Sequence, residues 1–233
     1  MKITFLGGGN MANALIGGMF KQGFAAADIT VIDPGSAARD KLERTYAVNC
    51  LETGEMLDNI GDLLVLAVKP QQMKDAVTPL VDKLGNAVVV SIAAGLDLAT
   101  LARFLGGHRK IVRCMPNTPA LIGAGITGLC PLPEVSAAER EAADCVLSAV
   151  GSTVWIDNEG RMDGVTALSG SGPAYVFLFI EALQQAAADL GFTPEQGRQL
   201  AIETVQGAAA LAAQSDEPAS VLRERVTSKG GTT

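Results

Sequence analysis

The residues best placed to do chemistry in this chain are glycines rather than acids or bases. The run Leu6-Gly7-Gly8-Gly9-Asn10-Met11-Ala12 contains the spacing Gly7-x-Gly9-x-x-Ala12. Placed after a strand and before a helix, this pattern binds a dinucleotide. Gly7 permits the tight turn, Gly9 lets the backbone approach a pyrophosphate, and Ala12 is small enough for the helix to sit on the sheet. The helix start beyond Asn10 offers free N–H groups and a partial positive charge to phosphates. Without its context the same spacing would be a glycine turn with no ligand.

Asp33 stands at the end of the next strand, where a carboxylate accepts hydrogen bonds from a ribose and favours NADH. Ser36 and Arg39 follow within a turn and suit the 2′-phosphate of NADPH. Asp33 also reads as a turn residue before Pro34-Gly35, and the choice of cofactor stays open on these residues. "AVKP" (Ala67, Val68, Lys69, Pro70) ends a third strand, with Lys69 available to hydroxyls or phosphates. "IAAG" and "MPNTP" end two more. Small or polar residues at several strand ends on one edge define a ligand crevice.

Other chemistries are poorly supplied. The single histidine, His108, lies in the polar stretch "GGHRK", so histidine triads and multi-histidine metal sites are not expected. Cys50, Cys114, Cys130 and Cys145 are scattered, with no C-x-x-C pair, and read as free thiols of a cytoplasmic protein. No cleavable signal region is expected ahead of the first strand. The net charge of -7 argues against a nucleic-acid partner. The longest apolar runs, "LLVLAV" and "AVVVSIAAG", are strand-length, so no membrane span is expected.

The elements that position the crevice follow from patterning. The chain has 233 residues, 48% of them apolar and 18% charged, enough for one large or two small globular domains. Buried strands are expected at "KITFL", "DITVID", "DLLVLAV", "AVVVSIAAG" and "KIVRCM", with a short one at "AVNC". Helices are expected at "MANALIGGMFKQG" ending at Gly23, at "SAARDKLERTY" capped by Ser36, at "KPQQMKDAVTPLVDKLG" and at "DLATLARFLG". This alternation predicts an α/β, doubly wound, Rossmann-type domain. "AGITGLCP" and "STVWID" add strands around a further helix. Beyond about residue 158 only helices are expected. The reading is therefore a nucleotide domain over 1–158 and an all-α domain over 159–233. Pro173 suits the first turn of a long helix, and Thr193 caps the next with Pro194 at its first position. "AYVFLFIEAL" is apolar around most of its circumference, which predicts a subunit partner; burial against the sheet domain is the other reading.

With "GGGNMA", "AVKP", "RCMPNTP", "TALSGSGPAYVF" and "VTSKGGTT" together, the chain resembles the pyrroline-5-carboxylate reductase family over essentially its whole length. The resemblance implies reduction of 1-pyrroline-5-carboxylate to L-proline with NADPH or NADH. It implies a cofactor lying across Leu6 to Met11, then Ala67 to Lys69, then Ala94 and Asn117, with Thr166 and Glu159 bordering nicotinamide and substrate. It places the substrate carboxylate on backbone N–H groups of the terminal motif, near Val226, Gly230, Gly231 and Thr232. The hydroxyl of Thr233 then lies at the imine nitrogen, and Asp216 matches an acidic position. It implies an interlocked homodimer through the C-terminal helices, often as five dimers. Lys229 departs from the usual proline. Relatives continue with a helical pair of about thirty residues, so the resemblance implies that this chain stops inside its site motif and that the short form turns over slowly.

The chemistry agrees with the residues present. A cyclic imine arrives protonated near neutral pH, so orientation and carboxylate binding suffice without a strong general acid. Two other readings share parts of this pattern. A hydroxyacid dehydrogenase commonly carries a lysine on the first long helix of its second domain, where this chain reads "SGSGPAYVF". A non-catalytic NAD(P)-binding regulator has no need of "LSGSGPAY" or "GGTT".

Overall fold

The computed structural model describes residues 1–227, 230 and 231. It forms two compact units, Met1–Pro173 and Ala174–Thr233.

The first unit alternates strands and helices as the patterning requires. β1 (Ile3–Leu6), α1 (Asn10–Lys21), β2 (Ile29–Ile32), α2 (Ser36–Tyr46) and β3 (Asn49–Leu51) form one half. β4 (Leu63–Leu66), α3 (Met73–Val77), β5 (Val88–Ser91), α4 (Leu98–Phe104) and β6 (Ile111–Met115) form the other. β7 (Gly125–Pro131), α5 (Ala137–Leu147) and β8 (Gly151–Trp155) complete the sheet. The strand order is β3-β2-β1-β4-β5-β6-β7-β8. β1 to β6 run parallel; β7 is antiparallel to β6 and parallel to β8. The chain winds outward from β1 to β3, then returns to β4 on the other side of β1. That reversal opens a crevice at the carboxyl ends of β1 and β4.

Both faces of the sheet are covered, so the strands are almost continuously apolar. Ile3, Phe5, Val31, Leu63 and Val65 face a layer containing Leu15, Ile16 and Met19 of α1 and Val146 of α5. Leu6, Ile32, Leu64 and Leu66 face the other way, against Met73 and Val77 of α3 and Leu98 and Leu101 of α4. The two-residue alternation within each strand decides which side chain joins which layer.

Three local expectations are corrected. Ser36 does not cap α2: Gly35 is the N-cap, and no side chain bonds the helix start. The helix expected over "KPQQMKDAVTPLVDKLG" is three short pieces: a 3₁₀ turn Pro70–Gln72, α3, and a 3₁₀ run Thr78–Lys83. Pro79 lies in the last piece; without an N–H it cannot continue α-helical bonding. The fifth strand ends at Ser91, before the "IAAG" turn. Elsewhere the punctuation holds. Gly23 follows α1 with φ +91°, and Phe24 N–H donates to Met19 O as it closes the helix end.

Residues 159–173 pack with the sheet unit, ahead of the division at Pro173. Met162, in α6 (Met162–Val165), is wholly buried in the layer that holds α3 and α4. A π-turn over Thr166–Gly170 then leads into α7 (Gly172–Asp189). Glu159–Asp189 is thus one helical stretch of 31 residues, long and apolar enough by length and composition to cross a membrane. Strand-length runs in the sequence did not announce this. The second unit continues with α8 (Pro194–Gln214) and α9 (Ala219–Arg225). Thr193 caps α8 in a reciprocal capping box with Gln196, and Pro194 takes the first helical position. Small residues bring α7 and α8 together: a Cβ on Gly197 would lie 3.1 Å from the Ala187 methyl.

Candidate functional site

The glycine turn sits at the crevice between β1 and β4. Gly7 donates its N–H to Ile32 O and Ala67 N–H reaches Leu6 O, both at 2.8 Å, so the turn is fastened to β2 and β4. Gly7 has φ +104°, and a Cβ there would lie 2.7 Å from Ala67 O, so only glycine fits. Gly9 is different. Its φ is -70°, and nothing lies within 4 Å of a Cβ built on it. Gly9 therefore keeps open the space above the turn. It is also the N-cap of α1, with no side-chain bond to the helix start, which leaves the N–H groups of Asn10 and Met11 for an anion. Ala12 is fully buried under the turn.

Asp33 ties this turn to the end of β2. One carboxylate oxygen accepts from Gly8 N–H at 2.7 Å and the other from Gly35 N–H at 2.8 Å. Arg39 donates through Nη1 to the Asp33 carbonyl at 2.7 Å, and its Nη2 lies 3.8 Å from Glu52. Ser36 is exposed at the first position of α2.

A cleft of about 770 Å³ opens beside the turn. Leu6, Gly7, Gly9, Asp33, Ala67, Val68 and Lys69 line it, as the sequence places them. Its far wall was not anticipated: the segment Glu52-Thr53-Gly54-Glu55, together with Gln71, Gln72 and Asp75. This wall is held from behind by Lys83, whose ammonium donates to the carbonyls of Gly54, Glu55 and Leu57 at 2.9, 3.0 and 2.6 Å. Three donors meet three acceptors, which satisfies the ammonium completely. The available sequence signal was the "TG" turn after the third strand; nothing near it points to a lysine 26 to 29 residues away.

Further along the same edge, Ala94 is exposed in the turn after β5. Glu159 anchors the start of α4 that follows this turn: its Oε1 accepts from Leu98 N–H at 2.7 Å and from Arg113 Nη1 at 2.9 Å. Asp97 caps α4 by accepting from Thr100 N–H at 2.6 Å. Hydrogen bonding from Thr100 holds the Asp97 carboxyl below its usual range. Arg113 was missed by the sequence reading, because a cation inside a strand pattern gives no sign of its partner. Asn117 lies after β6; its Oδ1 accepts from Ile126 N–H at 2.9 Å and its Nδ2 donates to Ser169 O at 3.2 Å. Thr166 begins the π-turn, its hydroxyl on Met162 O at 3.1 Å. Such turns recur at functional sites. Pro70 starts its 3₁₀ turn, one residue after Lys69.

The remaining predicted substrate residues belong to the second unit. Asp216 is exposed between α8 and α9, and Val226 is exposed at the end of α9. Gly230 has φ +78° and Gly231 is exposed. Thr232 and Thr233 lie outside the described residues, as do Ser228 and Lys229.

A glycine turn fastened at the switch point of a doubly wound sheet, an uncapped helix start above it and a helical second unit define an NAD(P)-binding oxidoreductase. Residues 2–95 match the family model for NADP oxidoreductase, coenzyme F420-dependent, and residues 159–233 match that for pyrroline-5-carboxylate reductase dimerisation. A pyrroline-5-carboxylate reductase of Pseudomonas aeruginosa is 46% identical over 233 residues, all of this chain and 85% of that protein. The structure of a pyrroline-5-carboxylate reductase from Coxiella burnetii superposes with a TM-score of 0.94 at 38% identity, over 99% of this chain and 86% of that one. Plasmodium falciparum pyrroline carboxylate reductase, solved with NADP bound, gives 0.86 at 30% identity, over 99% and 86%. The chain belongs to the pyrroline-5-carboxylate reductase family.

Proposed function

We propose that this protein reduces 1-pyrroline-5-carboxylate to L-proline, with NADPH as principal donor and NADH as a second one, in the cytoplasm and as a homodimer that assembles further into a decamer. The observation that carries the cofactor site is the open space above Gly9, bounded by a fastened glycine turn and an uncapped helix start. Bound there, the reduced nicotinamide supplies the hydride; the residues of this chain orient and bind.

The N–H groups of Asn10 and Met11 face the pyrophosphate, and Asp33 and Lys69 meet the adenosine half. Arg39 is the cation we assign to a 2′-phosphate, in competition with Glu52. Four acidic residues, Asp33, Glu52, Glu55 and Asp75, line the cleft, which explains why NADH remains acceptable. Ala94, Asn117 and Thr166 continue the track toward the nicotinamide. Glu159 holds the start of α4, four residues beyond Ala94, and so borders the site through the backbone it anchors. The carboxylate of the substrate is held by N–H groups of the terminal motif, with Asp216 and Val226 nearby and Thr233 at the imine nitrogen. The free cysteines Cys50, Cys114, Cys130 and Cys145 suit a reducing cytoplasm.

The test is oxidation of NADPH by the full-length protein, dependent on added imine. Oxidation should require 1-pyrroline-5-carboxylate and yield proline; its absence with a properly folded, cofactor-binding protein would overturn the reading. Thr233→Ala should then lower kcat/KM for the imine by about tenfold, the size of one hydrogen bond made mainly in the transition state. NADPH affinity should stay within about twofold, because the hydroxyl serves the substrate side. An unchanged kcat/KM would remove Thr233 from the site.

A further inference from the structure

We propose that Asn117 is a positioning residue that restores to the site helix the hydrogen bond that Pro173 takes away. The stretch from α6 to α7 changes hydrogen-bond register in the π-turn, where Ser171 N–H donates to Thr166 O, five residues back, at 2.8 Å. Two residues later stands Pro173, which has no N–H. In an unbroken helix residue 173 would donate to the carbonyl of Ser169, four residues back. That carbonyl instead accepts from Asn117 Nδ2 at 3.2 Å, across 52 positions of sequence.

The other end of the same amide is also used. Asn117 Oδ1 accepts from Ile126 N–H at 2.9 Å. One planar group thereby joins the exit of β6, the start of β7 and the π-turn. The task needs a donor and an acceptor on a short, flat side chain, which among the amino acids is asparagine. Aspartate lacks the donor and leucine lacks both. The two partners also fix which way the amide points, since an N–H must meet oxygen and a carbonyl must meet N–H₂. The π-turn is seated close as well: a Cβ on Gly170 would come to 2.5 Å from Cε of Met115, the last residue of β6. The wall that carries Thr166 is thus held to the sheet edge by a packed glycine and one amide.

A link to turnover rests on the placement of Thr166 beside the nicotinamide; the hydrogen bond itself does not. Hydrogen–deuterium exchange on the cofactor-free, full-length protein tests the bond alone. Asn117→Ala should speed exchange in residues 165–172 by about tenfold, the equivalent of one half-buried carbonyl losing its donor. In the Pro173→Ala background the same substitution should cost about threefold or less, because residue 173 then donates to Ser169 O itself. Equal acceleration in both backgrounds, or none in either, would overturn the proposal. If Asn117→Ala does not fold, Asn117→Asp keeps the acceptor for Ile126 and turns the donor into a carboxylate oxygen facing Ser169 O. It should loosen 165–172 while Ile126 stays protected, and loss of protection at both would count against separate arms. Turnover is read next, well below the melting temperature. Asn117→Ala should lower kcat by about tenfold with cofactor KM within about twofold, and Pro173→Ala should recover most of the loss. Faster exchange with unchanged kcat would keep the bond and overturn its part in catalysis.

Discussion

At the scale of single residues, two glycines of one motif do different work. Gly7 is required by the backbone: its φ of +104° and the carbonyl of Ala67 leave no room for a side chain. Gly9 has ordinary backbone angles and empty space where a side chain would go. Gly9→Val should therefore leave the melting temperature nearly unchanged and abolish NADPH binding, because the isopropyl group would fill the pyrophosphate's place. Calorimetric titration that finds wild-type affinity would remove the ligand from that space. Asp33 combines two roles. Its carboxylate holds Gly8 and Gly35, and its charge lies in the cleft wall. Asp33→Ser should weaken both cofactors, since serine can accept only part of this load. It should raise the NADPH/NADH ratio of kcat/KM, since the repulsion of a 2′-phosphate is gone. An unchanged ratio would mean that Asp33 acts only as a turn anchor.

At the scale of elements, the cleft wall depends on a cation outside the cleft. The turn Gly54–Met56 ends with three carbonyls gathered on Lys83. Lys83→Met keeps the aliphatic stem and deletes the donors. It should raise the Kd for NADPH several-fold, with kcat at saturating cofactor nearly constant, because the nicotinamide end is untouched. Binding of an adenosine 2′-phosphate fragment should weaken in parallel, whereas a nicotinamide mononucleotide fragment should not respond. Equal weakening of both fragments would point to a general loss of structure. The broken helix over residues 70–83 belongs to the same device. Pro79 interrupts it, and Pro79 with Leu80 packs where a Cβ on Gly54 would intrude.

At the scale of the molecule, α7 carries an uncovered apolar surface. Tyr175, Phe177, Leu178 and Phe179 are each more than half exposed. They lie within the residues that match the dimerisation family. Four neighbouring large apolar side chains need a cover, and a second copy of the chain is the cover we infer. Light scattering of the full-length protein at micromolar concentration should give at least a dimer. Replacing Phe177 and Phe179 together by glutamate should yield monomers, because charges would have to be buried in the interface. A monomeric wild type would overturn this assembly and leave the apolar helix to another partner. The same helical stretch is long and apolar enough to cross a membrane, so partition of the protein into vesicles is the control.

What the sequence determined by itself was local: period-two apolar runs, glycine and proline punctuation, and the spacing Gly7-x-Gly9-x-x-Ala12. These depend on hydrogen bonds and sterics within a few residues, so the doubly wound order, the end of α1 at Gly23 and the Thr193 cap were legible. Local reading failed where a neighbour in sequence is not the neighbour in space. Ser36 has the side chain of a cap, yet it is the first residue of α2 and Gly35 takes the capping position, with its N–H on Asp33. The dimerisation family model begins at residue 159, yet residues 159–173 pack with the sheet unit, because Met162 and Glu159 find their partners there. Tertiary structure alone decided that Lys83 braces Gly54, that Arg113 meets Glu159, and that Asn117 reaches Ser169. Each is a hydrogen bond across 25 or more positions. Such a bond forms only after strands and helices have packed, when desolvation makes a missing partner costly.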